Sequence, residues 1–146
     1  MADPITIRVY GLPAAQGSKV SLGRGRMVES SKKVKPWRAD VMAAVRDVHD
    51  GPLIEGACSV SIVFLFPRPK GHFGKRGLLP SAPKHLTSHA AGDLDKLLRS
   101  SIDGLSAGAG GSLLRDDSQV VNLAASKRYT VGNEQPGALI TVMPLL

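Results

Sequence analysis

The run ACSVSIVFLF, residues 57–66, constrains the fold most. Val60, Ile62, Phe64 and Phe66 alternate with Ser59 and Ser61, the period of two expected of a strand with one face in a core. The run is too short to cross a membrane, which takes about 20 apolar residues. It is therefore predicted to be an interior strand, and the rest of the chain has to supply its neighbours.

Three other segments qualify. ITIRVYG alternates Ile5, Ile7 and Val9 with Thr6, Arg8 and Tyr10. SQVVNLAASKRYTV and GALITVMPLL near the C-terminus read as two further strands, joined by a turn around GNEQPG and expected to pair antiparallel with each other. LGRGRM, residues 22–27, fits the tip of a small basic hairpin. Helical spacing appears twice. Trp37, Val41, Ala44, Val45 and Val48 predict a helix over 34–49, with Pro36 in its first turn, where a missing N–H costs nothing. Leu94, Leu97, Leu98, Ile102 and Leu105 predict a second, starting at Asp93 and broken by SAGAGGS. The expected fold is a single α/β domain of the mixed α+β kind spanning 1–146. It has a mixed sheet of about four or five strands, two main helices and long basic loops.

Charge narrows the partner. The chain has 19 Lys+Arg against 12 Asp+Glu, a formal net charge of +7, which points to a polyanion and to nucleic acid first. The charges are segregated. Residues 19–38 carry seven basic residues and one acid, and residues 68–84 carry five basic residues and none. Residues 93–117 hold five of the twelve carboxylates, an acidic island between basic flanks. Lys19, Arg24 and Arg26 on the hairpin are the first candidates for phosphate contacts, with Lys32, Lys33, Arg76 and Arg128 beside them. The 26 residues of PRPKGHFGKRGLLPSAPKHLTSHAAG form a loop long enough to be functional or mobile. His72, His85 and His89 in this loop show no ligand spacing. The lone Cys58 excludes an internal disulfide and a thiolate metal cage, and is expected to be a buried structural residue. Acid and proline near the N-terminus do not fit a signal peptide, so the protein is expected in the cytoplasm.

On a helical wheel Asp95, Arg99 and Asp103 form a polar ridge beside the leucine stripe, with Asp93 just outside the first turn. Each has an ordinary explanation, since Asp93 suits an N-cap and Asp95 favours a helix N-terminus. Asp116 and Asp117 then lead directly into a strand, and adjacent acids disfavour each other unless a cation lies between them. Hard carboxylate ligands among phosphate-binding cations describe a Mg²⁺ nuclease site. Charge and spacing leave two readings open: such a nuclease, or a non-catalytic DNA- or RNA-binding module whose acids only cap a helix.

The segments GDLDKLLRSSIDGL, LLRDDSQVV and SKRY together resemble the RusA-type family of Holliday junction resolvases. The likeness runs over residues 93–129 and extends more weakly to Pro-x-x-Gln-Gly-x-Lys at 13–19 and to KPWRADV at 35–41. It implies that Asp93, Asp95 and Asp117 are metal-binding carboxylates, with Asp116 an auxiliary group. Arg99 stands where the family usually has an essential Lys, and Lys96 where it usually has Asn. Lys127 and Arg128 follow the acidic pair closely enough to steady a phosphate. The resemblance further implies a homodimeric endodeoxyribonuclease that uses Mg²⁺, with Mn²⁺ able to substitute, on Holliday junctions or other branched DNA. A flap or single-strand nuclease on the same scaffold is the third reading. A small resolvase of this kind suits a phage or prophage genome.

Overall fold

The computed structural model describes residues 3–17, 19–23, 26–29 and 32–145, with 19–23 and 26–29 described through their backbone. A four-stranded mixed sheet forms the frame, built from β1 (Ile5–Tyr10), β4 (Cys58–Phe66), β7 (Val120–Tyr129) and β8 (Gly137–Pro144) in the order β1-β8-β4-β7. Helices α1 (Val34–Val48) and α2 (Leu94–Leu105) pack on one face. The basic hairpin forms as β2 (Lys19–Gly23) and β3 (Arg26–Glu29), paired antiparallel.

The apolar run from Cys58 to Phe66 takes an interior position because it can bury a face and both edges. Val60, Ile62 and Phe64 are buried against the helices, while Ser61 faces solvent. Cys58 is fully buried in the same core, and desolvation pushes its thiol pKa up.

The two C-terminal strands depart from the expected pairing. β8 lies antiparallel to β4 and β7 parallel to it, so β4 separates the two. Loop 130–136 carries the chain past the end of β4, where the Thr130 N–H donates to the Phe66 carbonyl at 2.8 Å. The physical reason is burial. β7 leaves Val121 63% and Leu123 43% exposed, which suits an edge, whereas Ile140 and Val142 of β8 are fully buried and need a neighbour on each side.

The helices lock to each other through small and polar groups. The Trp37 indole N–H donates to the Ser101 hydroxyl at 2.9 Å, which satisfies a buried donor and makes Trp37 a core residue. Gly104 lets α1 approach α2 closely, since a Cβ there would lie 2.9 Å from the Val41 side chain.

The loop of residues 67–92 is tied down rather than loose. It contains a short hairpin, β5 (Phe73–Gly74) with β6 (Gly77–Leu78), and a 3₁₀ turn at either end. Arg68 donates to the Pro83 carbonyl at 2.7 Å and stacks over the Tyr129 ring at 4.3 Å, while His72 meets the same ring edge-on.

Candidate active site

Helix α2 presents its leucine stripe to the core, with Leu97 and Leu105 fully buried, so its polar ridge turns outward. Asp93 occupies the N-cap position, yet its side chain accepts no hydrogen bond from the helix N–H groups. Its carboxylate lies 3.9 Å from the Lys96 ammonium and is largely exposed. The turn before it needs Gly92: φ is +90° there, and a Cβ would sit 2.6 Å from that of Ala15. Loop 12–17 docks on the same end of the helix, through Gln16 N–H to the Lys96 carbonyl at 3.1 Å and the Ser100 hydroxyl to the Ala14 carbonyl at 2.6 Å.

Asp117 arrives from the opposite side. The Gly-rich segment after α2 folds back on itself: the Leu113 and Leu114 amides donate to the Leu105 carbonyl, and both leucines are fully buried. The chain then enters a 3₁₀ turn at Asp117–Gln119, capped by Asp116 and Gln119 reciprocally. Bonds from the Ser118 hydroxyl and N–H hold the Asp116 carboxyl below the usual carboxylate range. The Gln119 amide donates to the Ile54 and Gly56 carbonyls at 2.7 and 2.8 Å, and Arg115 pairs with Glu55. These bonds anchor the Asp117 turn to the segment entering β4.

Asp95, Arg99 and Asp117 line one open cavity of about 390 Å³ between α2 and β7, walled by Leu98, Ile102 and Val120. Asp93 stands two residues before Asp95, outside the cavity wall. Among the described residues no three acidic, His or Cys side chains are close enough to form a ready-made metal cluster. The carboxylate oxygens nevertheless suit a hard divalent cation that completes its shell with water and phosphate oxygen. Arg99 has no hydrogen-bond or ion-pair partner among the described residues, which leaves its guanidinium open to a ligand.

This arrangement of paired acids, arginine and basic surroundings coincides with a family match. A family model described as Endodeoxyribonuclease RusA covers residues 11–143 of the 146. The chain belongs to the RusA family. It is thus an endodeoxyribonuclease, a hydrolase acting on DNA, and the family's activity on Holliday junctions and its dependence on metal are what its site has to serve. Among curated proteins none matches this chain.

Within this RusA-family domain the other expected contacts divide. Lys32, Lys33 and Arg76 are exposed, as phosphate contacts have to be. Arg24 lies outside the described residues, as do the side chains of Lys19 and Arg26. Arg128, expected at a phosphate, makes two parallel bonds to Glu134 at 2.7 and 2.8 Å. That pairing pulls the Glu134 carboxyl down to about 2. Lys127 donates to the Gly92 carbonyl at 2.9 Å. Asp103, read as one of a ridge with Arg99, reaches across to Arg38 of α1 at 3.9 Å. Sequence reasoning missed the anchoring roles of Gln119, Leu113 and Leu114. The Gln of the Asp-Asp-x-Gln motif was the signal for the first.

Proposed function

We propose that this protein is a Mg²⁺-dependent, structure-selective endonuclease that cuts Holliday junctions and related branched DNA, acting as a homodimer in the cytoplasm. The observation that carries this reading is the shared cavity of Asp95, Asp117 and Arg99, set in a chain of net charge +7. Asp95 and Asp117 would hold the ion, with Asp93 completing the set, and Mn²⁺ can take its place. When bound, such an ion supplies Lewis acidity toward phosphate and lowers the pKa of water.

The chain's own groups do the rest. Arg99 offers a planar fork to non-bridging phosphate oxygens and offsets charge that builds during in-line displacement. It stays protonated throughout, so it orients and stabilises rather than delivering a proton. Lys127 acts on the turn before Asp93, and its remaining N–H donors can reach a neighbouring phosphate. Exposed Lys32, Lys33 and Arg76, with the hairpin cations Lys19, Arg24 and Arg26, would follow the DNA backbone without reading bases. A dimer supplies two sites related by the two-fold axis of a four-way junction.

The test is a Mg²⁺ titration of cleavage on a four-way junction beside a matched linear duplex. Metal-dependent cutting of the junction with the duplex spared supports the proposal. Equal cutting of branched and linear substrates replaces it with a flap or single-strand nuclease, and junction binding without cleavage in Mg²⁺ or Mn²⁺ removes it.

A further inference from the structure

A second cavity, of about 440 Å³, opens beside Gly92, the residue immediately before Asp93. Nothing in the mechanism above uses it. Its floor is a small cluster of Leu86, Ala91 and Tyr129 with Phe66 packed against it. Its sides come from Pro13 and Ala15 of the docked loop and from Pro67 and Pro69 after β4. Its polar side chains are few: Ser88, His89, Lys33 and the Tyr129 hydroxyl. No carboxylate of the described residues lines it, although Asp93 follows directly in the chain.

We propose that this cavity receives an unpaired nucleobase from the branch point of the DNA substrate. This rests on the reading that the chain cuts branched DNA, and it adds a means of telling branched from linear. Size and lining agree with a ligand pocket, typically about 300–1,000 Å³, mainly apolar and with a few convergent polar groups. The acid-free lining, with Lys33 among its residues, complements a polyanion bearing flat apolar bases. Phe66 and the prolines provide surfaces for the base faces. The Ser88 hydroxyl accepts from the Ala90 N–H at 3.2 Å and keeps its own hydrogen to donate to a base edge.

Two contacts tie the lining to the sheet. Arg68 covers the Tyr129 ring and ties the loop down, and Lys127 holds the Gly92 carbonyl at the rim. Lys127 and Tyr129 share one face of β7, so a phosphate at the carboxylates and a base in this cavity lie on adjoining parts of one surface. A base enters only after leaving its stack, which costs least where pairing is already broken. A branch point provides such a base and a continuous duplex does not.

The test uses four-way junctions carrying 2-aminopurine at each nucleotide flanking the branch point, bound in EDTA so that no cutting is needed. The result expected is a rise in fluorescence at one flanking position with the parent protein, absent with Ala90→Leu, which narrows the cavity from its exposed rim. Ala90→Leu should also cut junctions at least about tenfold more slowly in Mg²⁺ while melting at the parent's temperature. The proposal is overturned by parent fluorescence unchanged at every position, or by a rise that persists in Ala90→Leu. Failure of the parent to cut junctions in Mg²⁺ would instead strike the functional reading, and the EDTA measurement stands apart from it.

Discussion

The Lys127 ammonium donates to the Gly92 carbonyl at 2.9 Å, which ties edge strand β7 to the turn that launches α2. Asp117 enters β7 and Asp93 and Asp95 open α2, so this one bond bridges the two elements that carry the carboxylates. Removing it should loosen their spacing without unfolding the core. Lys127→Met is expected to raise the Mg²⁺ concentration for half-maximal cleavage by about 10–100-fold, the usual effect of losing a group that orients metal ligands. Calorimetric titration of the uncut protein with Mn²⁺ should show the same weakening. Lys127→Arg should restore part of it. Unchanged ion affinity in Lys127→Met would leave Lys127 as a phosphate contact only.

Arg99 lines the acid cavity together with Asp95 and Asp117. A charge-stabilising role predicts that Arg99→Lys keeps most activity and that Arg99→Ala loses about 10²–10³-fold in kcat with junction binding little changed. A proton-donating role predicts the reverse of the first result, with Arg99→Lys faster than the parent. Single-turnover rates for the three proteins separate the two.

Glu134 makes a pH-dependent contribution to stability. Its carboxyl is lowered from 4.5 to about 2, first by the Arg128 side-chain bonds. A depressed folded-state pKa stabilises above the unfolded value and loses that stabilisation as pH falls through the folded one. The melting temperature of Glu134→Gln should therefore fall below the parent's at pH 7, and the gap should close between about pH 4.5 and 2. Because the Arg128 side chain is 41% exposed, the gap should be small and should shrink with salt.

Gly104 gives a prediction of unusual sign. Gly→Ala inside a helix normally stabilises by about 0.5–1 kcal/mol. Here the new methyl would meet Val41 at 2.9 Å, so overpacking of about 1–3 kcal/mol should win. Gly104→Ala is expected to melt several degrees lower, read by thermal unfolding, and a rise would contradict the close packing of α1 on α2.

Strand β4 and helix α2 were legible in the sequence because burial of one face imposes a local period, two for Val60, Ile62 and Phe64 and nearly four for the leucines of α2. The acids were legible through their spacing and their contrast with basic flanks. Strand order was not, since β7 and β8 carry similar patterns and only long-range competition for the edges of β4 separates them. The pairing of Arg128 with Glu134 was not legible, because the two lie on either side of a turn. The Lys127 bond left no trace in the pattern either, because its acceptor is a backbone carbonyl 35 residues away. Asp93 fits an N-cap by position, yet its side chain bonds no helix N–H.

Asp95 and Asp117 stand on different elements and are proposed to act as one metal-dependent site for DNA cleavage. Cleavage and binding of one four-way junction, measured side by side for the parent, Asp95→Asn and Asp117→Asn in Mg²⁺, tests it most directly. Both variants should bind the junction as tightly as the parent or slightly tighter, because repulsion of phosphate is relieved. Both should cut at least about a thousandfold more slowly. A variant that still cuts at a rate near the parent's would contradict the account.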